Sequence, residues 1–331
     1  MVHATADWVP FNDISGWTGA VVNRDMDGVR IYEATIWDDG LSVHLYALPN
    51  DYNQLYGDMQ GYSTTQKVAY REQYCIMKFT GMPSDISARG SFLVDAFTEF
   101  AALLAERHPN ATHNLVFTGH GGLVQGGEFF GLNMNYEQAG TFLGNWKSLL
   151  GRKLGFIDFG GPCMKGSFHA LEAFSPYVDY YIASDLASGC TTWDVWDDSA
   201  WEEYYQVEIL YNYHNILSSH GSMRDALIAR VDLSRLRYEY NRSHVIRDKI
   251  MQSTYLYSTS VFAQHRDEIA AFMGTHGDPN AMLDVLATMK ANGASQALID
   301  AYNSIIIHGV DTKDFFTWPE DWNGMLWWGE F

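Results

Sequence analysis

The chain has 331 residues, a formal charge of −19 and 47% hydrophobic residues, which suits one large globular domain or a domain with an appended smaller one. Such an acidic chain repels phosphate backbones, so nucleic acid is excluded as an expected partner, whereas basic peptides and Ca2+ are tolerated. Three cysteines, Cys75, Cys163 and Cys190, with no Cys-x-x-Cys pair, argue against a disulfide framework and a structural zinc site.

Residues 1–40 read as turn-rich and acidic, with a strand over Val29–Trp37. Asn23–Gly28 looks like a fragment of a calcium loop but lacks the downstream glutamate, so it reads as an acidic turn. Leu41–Leu48 is a buried strand ended by Pro49, and Tyr74–Thr80 is a second one. Ser84–His108 is the clearest helix: Leu93, Phe97, Phe100 and Leu104 form one apolar stripe, and Pro109-Asn110 stops it. Leu115–Thr118 is a short apolar strand of the kind found inside parallel sheets. Tyr136–Leu150 is a helix with Ala139, Phe142, Leu143 and Trp146 on one side. Leu154–Phe159 is a strand, Phe168–Phe174 a helix and Tyr177–Ser184 a strand.

Beyond residue 194 the alternation fades. Trp201–Leu217, Ser222–Arg237, His265–Phe272 and Ala281–Ile307, the last split by Gly293, read as helical. Arg230–Leu236 reads as a short buried element turning into a helix. The Trp-rich tail, Phe315–Phe331, is expected to pack back on the body. No window approaches 18 consecutive apolar residues, so no membrane span is expected. The first residues lack the basic start and apolar run of a signal peptide, which leaves the compartment open.

The β-α-β-α-β order over 115–184 predicts a doubly wound, mostly parallel sheet flanked by helices. Ligands bind such sheets at the carboxyl ends of the strands. Two strands end there in glycine-flanked reactive side chains: Thr118-Gly119-His120-Gly121-Gly122 and Gly160-Gly161-Pro162-Cys163. A thiolate is a nucleophile, and an adjacent imidazole can take its proton and protonate a leaving amine. The backbone N–H groups of Gly121 and Cys163 could stabilise a tetrahedral oxyanion. A helix starting at Cys163 would lower the thiol pKa. His-Gly alone carries no weight, because it recurs at His220, His276 and His308. A lone buried cysteine is more often an inert core residue; the joint pattern is what points to catalysis. Cys75 reads as core, and His169 as pointing away from Cys163. No Gly-x-Ser-x-Gly, Walker, Gly-x-Gly-x-x-Gly or His-Glu-x-x-His motif is present, which removes the commonest serine-hydrolase, nucleotide and zinc-peptidase readings.

With the strand-His120-Gly121, helix, strand-Cys163 order, Cys163-Met-Lys and Tyr180-Tyr-Ile-Ala-Ser-Asp185 in place, the chain resembles the clostripain-like cysteine peptidases (family C11, clan CD), in the caspase-like group with legumain and gingipain. Cys163-x-x-Gly166-Ser167 is also similar to legumain. The resemblance covers about residues 41–200. It implies a caspase-like fold over residues 1–221 with a core at 41–200; the helical patterns beyond it read as a mainly helical C-terminal subdomain over 222–331 packed on the core. It implies a peptide substrate, His120 as base and acid, Cys163 as nucleophile, Gly121 in the oxyanion hole, and Arg or Lys preference at P1. The family's Asp-Ala-Cys is replaced by Gly161-Pro162-Cys163, so Asp185 and Asp194, with Gly161, become the candidates lining S1, and Asp158 lies nearby. The dyad needs no cofactor or metal; Ca2+ comes with the resemblance without an assigned site. An inactive binding module and a transamidase or ligase on the same dyad remain open, as does the oligomeric state.

Overall fold

The structure is a computed structural model that describes residues 14–23, 28–37, 41–47, 66, 69–70, 72–117, 134–159, 164–185, 212–240, 253–278, 281–312 and 323–327. Among the described residues four strands come first: β1 (Ile14–Asn23), β2 (Gly28–Trp37), β3 (Ser42–Ala47) and β4 (Cys75–Thr80). Helix α1 (Ile86–Arg107) leads to β5 (Thr112–Val116), α2 (Tyr136–Leu150), β6 (Leu154–Phe159), α3 (Phe168–Phe174) and β7 (Val178–Ala183). Then come α4 (Asn212–Ser219), α5 (Met223–Tyr240), β8 (Ser253–Ser258), α6 (Thr259–His276), β9 (Leu283–Asp284), α7 (Val285–Ala291), α8 (Gln296–Ile305), β10 (Ile306–Asp311) and β11 (Leu326–Trp327).

Among the described residues, nine strands form one sheet in the order β10-β8-β7-β6-β5-β1-β2-β3-β4. It is mixed, where the sequence suggested mostly parallel pairing. Only β5-β6 and β6-β7 are parallel. Their connections run through α2 and α3, and a parallel pair requires such a crossover. The other neighbours are antiparallel, including the β1-β2 hairpin closed by Asn23 opposite Gly28. Residues 24–27 of the stretch expected to be an acidic turn lie outside the described residues.

Helices cover both faces. Leu93, Phe97, Phe100 and Leu104 of α1 and Phe142, Leu143 and Trp146 of α2 bury against Leu115, Ile157 and Tyr181 on one face. Ile216 and Leu217 of α4 and Leu227 and Val231 of α5 bury against Val116, Phe156 and Ile182 on the other. Successive strand residues thus go to opposite faces, as the pleat requires. Helix α2 starts in a capping box between Asn135 and Gln138 and ends at Gly151, whose φ of 66° is the left-handed C-cap that glycine adopts without strain. No described helix is long and apolar enough to cross a membrane.

Two buried polar joints tie these layers together. On the α2 face, the Trp146 indole N–H donates to His113 Nδ1 at 3.0 Å. The His113 Nε2 that remains faces the His108 carbonyl at 3.0 Å, which fixes the Nε2–H tautomer. On the opposite face, Arg230 of α5 donates from Nε to Asp158 Oδ2 of β6 at 3.0 Å, and from Nη1 to Ser234 at 3.2 Å. Asp158 and Arg230 are both fully buried.

The described residues of 222–331 are mainly helical and also extend the core. Strand β8 pairs with β7, and β10 with β8, so the C-terminal region continues the sheet. Arg230–Leu236 lies wholly within α5. Residues 201–211 of the helix expected at Trp201–Leu217 lie outside the described residues.

Candidate active site

The carboxyl ends of β5, β6 and β7 share one rim of the sheet. Leu115 is opposite Ile157, and Val116 opposite Asp158. The Phe117 N–H donates to the Asp158 carbonyl at 2.8 Å, extending the pairing one residue past β5. The rings of Phe117 and Phe159 stack with centroids 4.8 Å apart and planes 9° from parallel. The two chain segments therefore leave the sheet side by side. His120 follows Phe117 by three residues and Cys163 follows Phe159 by four. His120, Gly121, Gly161, Cys163 and Asp194 themselves lie outside the described residues, as does Cys190.

The chain after position 163 is tightly held. Met164 has a φ of 57°, an unusual backbone conformation for a residue with a side chain. Lys165 is fully buried, its ammonium 5.7 Å from the centroid of the Tyr136 ring, and its carbonyl accepts from the Tyr181 hydroxyl at 2.7 Å. The Gly166 N–H donates to the Ser184 carbonyl at 2.7 Å. A Cβ at Gly166 would lie 2.6 Å from the Asp185 nitrogen, 2.7 Å from the Tyr257 hydroxyl and 2.8 Å from the Ser184 carbonyl carbon, so only glycine fits. Ser167 caps α3 by accepting from the Ala170 N–H at 3.2 Å. Helix α3 thus begins at Phe168, five residues beyond Cys163, where the sequence suggested it starts at the cysteine.

A segment from the far end of the chain closes over this one. Asn323–Trp327 runs as a strap between Gly166 and β9. The Leu326 N–H donates to the Gly166 carbonyl at 2.9 Å, and Val285 N–H to the Met325 carbonyl at 3.0 Å. Leu326 and Trp327 pair with Asp284 and Leu283. Met325 and Leu326 are fully buried, which contributes about 2 kcal/mol each by removing apolar surface from water. The Trp327 ring packs 5.0 Å from Phe168 and 5.1 Å from His169. This part of the tail does pack back on the body. His169 is thereby engaged on α3 with Trp327, with Glu172 3.8 Å from its Nδ1.

Asp185 sits at the centre of this arrangement. It is fully buried just past β7; its Oδ1 accepts from the Ser253 hydroxyl, and its Oδ2 accepts from the Gly324 N–H at 3.2 Å. Tyr257 O–H donates to the Gly324 carbonyl. Burial pushes the Asp185 carboxyl up to about 7, with Asp284 nearby adding to the rise. Both oxygens of this enclosed carboxyl, expected from the sequence to line S1, are engaged by Ser253 and Gly324. Asp158, the other nearby acid, is spent on Arg230.

The remaining His-Gly histidines have local partners. His220 Nδ1 lies 2.8 Å from the Ile216 carbonyl, the His276 ring lies tilted against Phe272 with centroids 4.5 Å apart, and His308 Nε2 lies 2.7 Å from Asp232. Cys75 opens β4 half-buried, its thiol donating to the Met77 carbonyl at 3.5 Å, and burial raises its pKa. Among the described residues, His44, Glu72 and Cys75 bring three ligand-type atoms within 4.8 Å of one another. His44 Nδ1 is 2.8 Å from Glu72 and the Tyr46 hydroxyl donates to the same carboxylate at 2.7 Å. An imidazole, a thiol and one carboxylate do not fit Ca2+, which takes six to eight oxygens.

No family model matches the sequence, and no curated protein matches it. Solved structures do. A secreted C11 cysteine protease from Bacteroides thetaiotaomicron, in complex with an irreversible peptide inhibitor, superposes with a TM-score of 0.52 at 12% identity, over 90% of this chain and 82% of that one. Another structure, of the secreted C11 protease "iotapain" from the same organism, gives 0.51 at 11% identity, over 91% and 83%. The chain has the fold of the C11 cysteine proteases. The caspase-like α/β fold expected from the sequence is therefore present, although only the fold is common ground at this identity.

The sequence reading missed the strap, Ser253 and the Asp158–Arg230 pair. The last had one available signal: Arg230 stands in an apolar helical stretch, Ala229-Arg-Val-Asp-Leu, where an arginine needs a buried acid.

Proposed function

We propose that the chain is a cysteine endopeptidase with Cys163 as nucleophile and His120 as general base and acid. The observation that carries this reading is the side-by-side exit of β5 and β6, with Phe117 stacked on Phe159. Three and four residues span at most about 10 and 14 Å of extended chain, so both reactive groups start within reach of the same few ångströms of rim. Met164, with its left-handed backbone, fits a loop whose conformation is imposed next to a reactive group.

In this reading His120 takes the thiol proton and the thiolate attacks the scissile carbonyl carbon. The N–H groups of Gly121 and Cys163 hold the oxyanion. The C–N bond breaks as His120 protonates the leaving amine, which leaves a thioester on Cys163. His120 then deprotonates water, which attacks the thioester and releases the acid. These steps use no cofactor, and Ca2+ enters none of them. The net charge of −19 favours basic peptides. Asp194 and Gly161 line S1 in this reading, and Arg or Lys is preferred at P1.

A positional-scanning peptide library tests it, with Cys163→Ala as control. Cleavage after Arg or Lys that is lost in Cys163→Ala supports the reading, together with iodoacetamide labelling of Cys163 that is lost in His120→Ala. No turnover on any peptide, or equal labelling of all three thiols, removes it. Acyl transfer to an added amine in preference to water would make the enzyme a ligase on the same dyad.

A further inference from the structure

We propose that Asp185 is a positioning residue: it anchors the strap Asn323–Trp327 over Gly166 and so fixes the backbone that follows Cys163. The proposal rests on the reading of Cys163 as the nucleophile and replaces the role of Asp185 in S1. Three layers meet at Gly166. On one side its N–H is bonded to the Ser184 carbonyl, next to Asp185. On the other its carbonyl takes the Leu326 N–H. The strap is held in turn at Gly324, whose N–H goes to Asp185 and whose carbonyl takes the Tyr257 hydroxyl. Gly324 has a φ of 89°, and a Cβ there would meet Ile306 Cδ1 at 2.5 Å, so the turn that aims its N–H at Asp185 requires glycine. Asn323 is fixed from the other side by Asp284 and by the Tyr302 hydroxyl. Asp185 is thus the carboxylate that joins the end of β7, the start of β8 through Ser253, and the strap. Gly166 is only three residues from Cys163. A loop fixed this close to the sulfur sets where the sulfur sits, and small displacements of a reacting atom cost rate and not binding.

The test compares wild type with Asp185→Ala and Asp185→Asn, the latter keeping an acceptor oxygen. The rate of iodoacetamide alkylation is mapped at Cys163 with Cys75 as internal reference, and kcat and KM are measured on Arg and Lys peptides. The proposal expects the Cys163 rate at pH 7 to fall about tenfold in Asp185→Ala, its pH midpoint moving toward the ordinary thiol value of about 8.5. It expects kcat to fall in proportion, KM to stay within about twofold, and Asp185→Asn to lie between. An unchanged Cys163 rate with a raised KM would return Asp185 to the substrate pocket and overturn the proposal, as would no change in either. Should Asp185→Ala fail to fold, Tyr257→Phe, which removes the donor to the Gly324 carbonyl, carries the same comparison. Failure of the peptidase reading shows separately, as a wild-type chain without turnover or as turnover that survives Cys163→Ala; the alkylation rates decide the positioning role in either case.

Discussion

Asp185 and Asp284 hold consecutive backbone N–H groups of one segment. Gly324 N–H donates to Asp185 Oδ2 at 3.2 Å, and Asn323 N–H to Asp284 Oδ2 at 3.0 Å. Both acids are buried, Asp284 also capping α7 through Ala287 N–H at 2.8 Å. Two carboxyls this close in a dry interior are not equally comfortable when ionised. Tyr255, Tyr257 and Tyr302 are also buried around them.

The consequence is a pH-dependent stability. Folded Asp185 titrates at about 7, against 3.8 when free. Between those values the folded chain keeps a proton that the unfolded chain has released. Its contribution is therefore complete below about pH 4 and is lost as pH rises to about 7, on the order of 4 kcal/mol in full. Urea unfolding of Asp185→Asn is expected to lack this fall, gaining on wild type from pH 5 to 8. Parallel profiles for the two proteins would show that the carboxyl is ionised throughout.

His113 works in the opposite direction. Burial holds its pKa down at about 4, and a protonated Nδ1 could no longer accept from Trp146. The unfolded chain takes up a proton below about 6.5 that the folded chain refuses, so stability drops as pH falls from about 6.5 to about 4, by about 3 kcal/mol in full. In wild type the two slopes oppose each other across pH 4 to 6.5. Only the single variants should expose them: His113→Asn is expected to leave the Asp185 slope bare, steeper than in wild type. A profile identical to wild type would mean that His113 is not held neutral.

How much of this was legible in the sequence follows from which signals are local. Leu154–Phe159 and Tyr136–Leu150 were read with their observed bounds, because an apolar run and a 3.6-residue stripe are carried by the segment itself. Strand β8 was not, because Ser-Thr-Tyr-Leu-Tyr-Ser reads as polar although both its faces are buried. Strand β10 follows α8 without a break, so Ile305–Ile307 read as the end of a helix. For the site, the pairing of β5 with β6 was legible as a βαβ unit. The strap was not: its energetics lie in single hydrogen bonds to Gly166, Asp185 and Asp284, more than a hundred residues away for the first two, and no periodicity marks such contacts.

The Asp158–Arg230 pair gives a sharper stability test. Removing one partner leaves the other buried and uncompensated, which costs about 3–5 kcal/mol, whereas replacing both with apolar residues is close to neutral. Arg230→Met and Asp158→Leu are each expected to lower the urea midpoint strongly, and the double variant to recover most of the loss. Additive losses in the double variant would mean that the pair is not the source of the cost.

Gly166 offers a test of how closely the rim is packed. A methyl group there meets two backbone atoms, Asp185 N and Ser184 C, as well as the Tyr257 hydroxyl. The backbone atoms have little room to yield, since Ser184 O is itself bonded to Gly166 N at 2.7 Å. Overpacking of this kind costs about 1–3 kcal/mol. Gly166→Ala is expected to lose that much stability and, because relief comes from shifting the chain toward Cys163, to lose turnover by more than the unfolded fraction explains. Adding Tyr257→Phe removes only one of the three contacts, so the double variant should regain part of the stability and not all of it. Full recovery would place the strain on the flexible tyrosine alone, and an unaltered Gly166→Ala protein would mean that the segment after Cys163 is free to move.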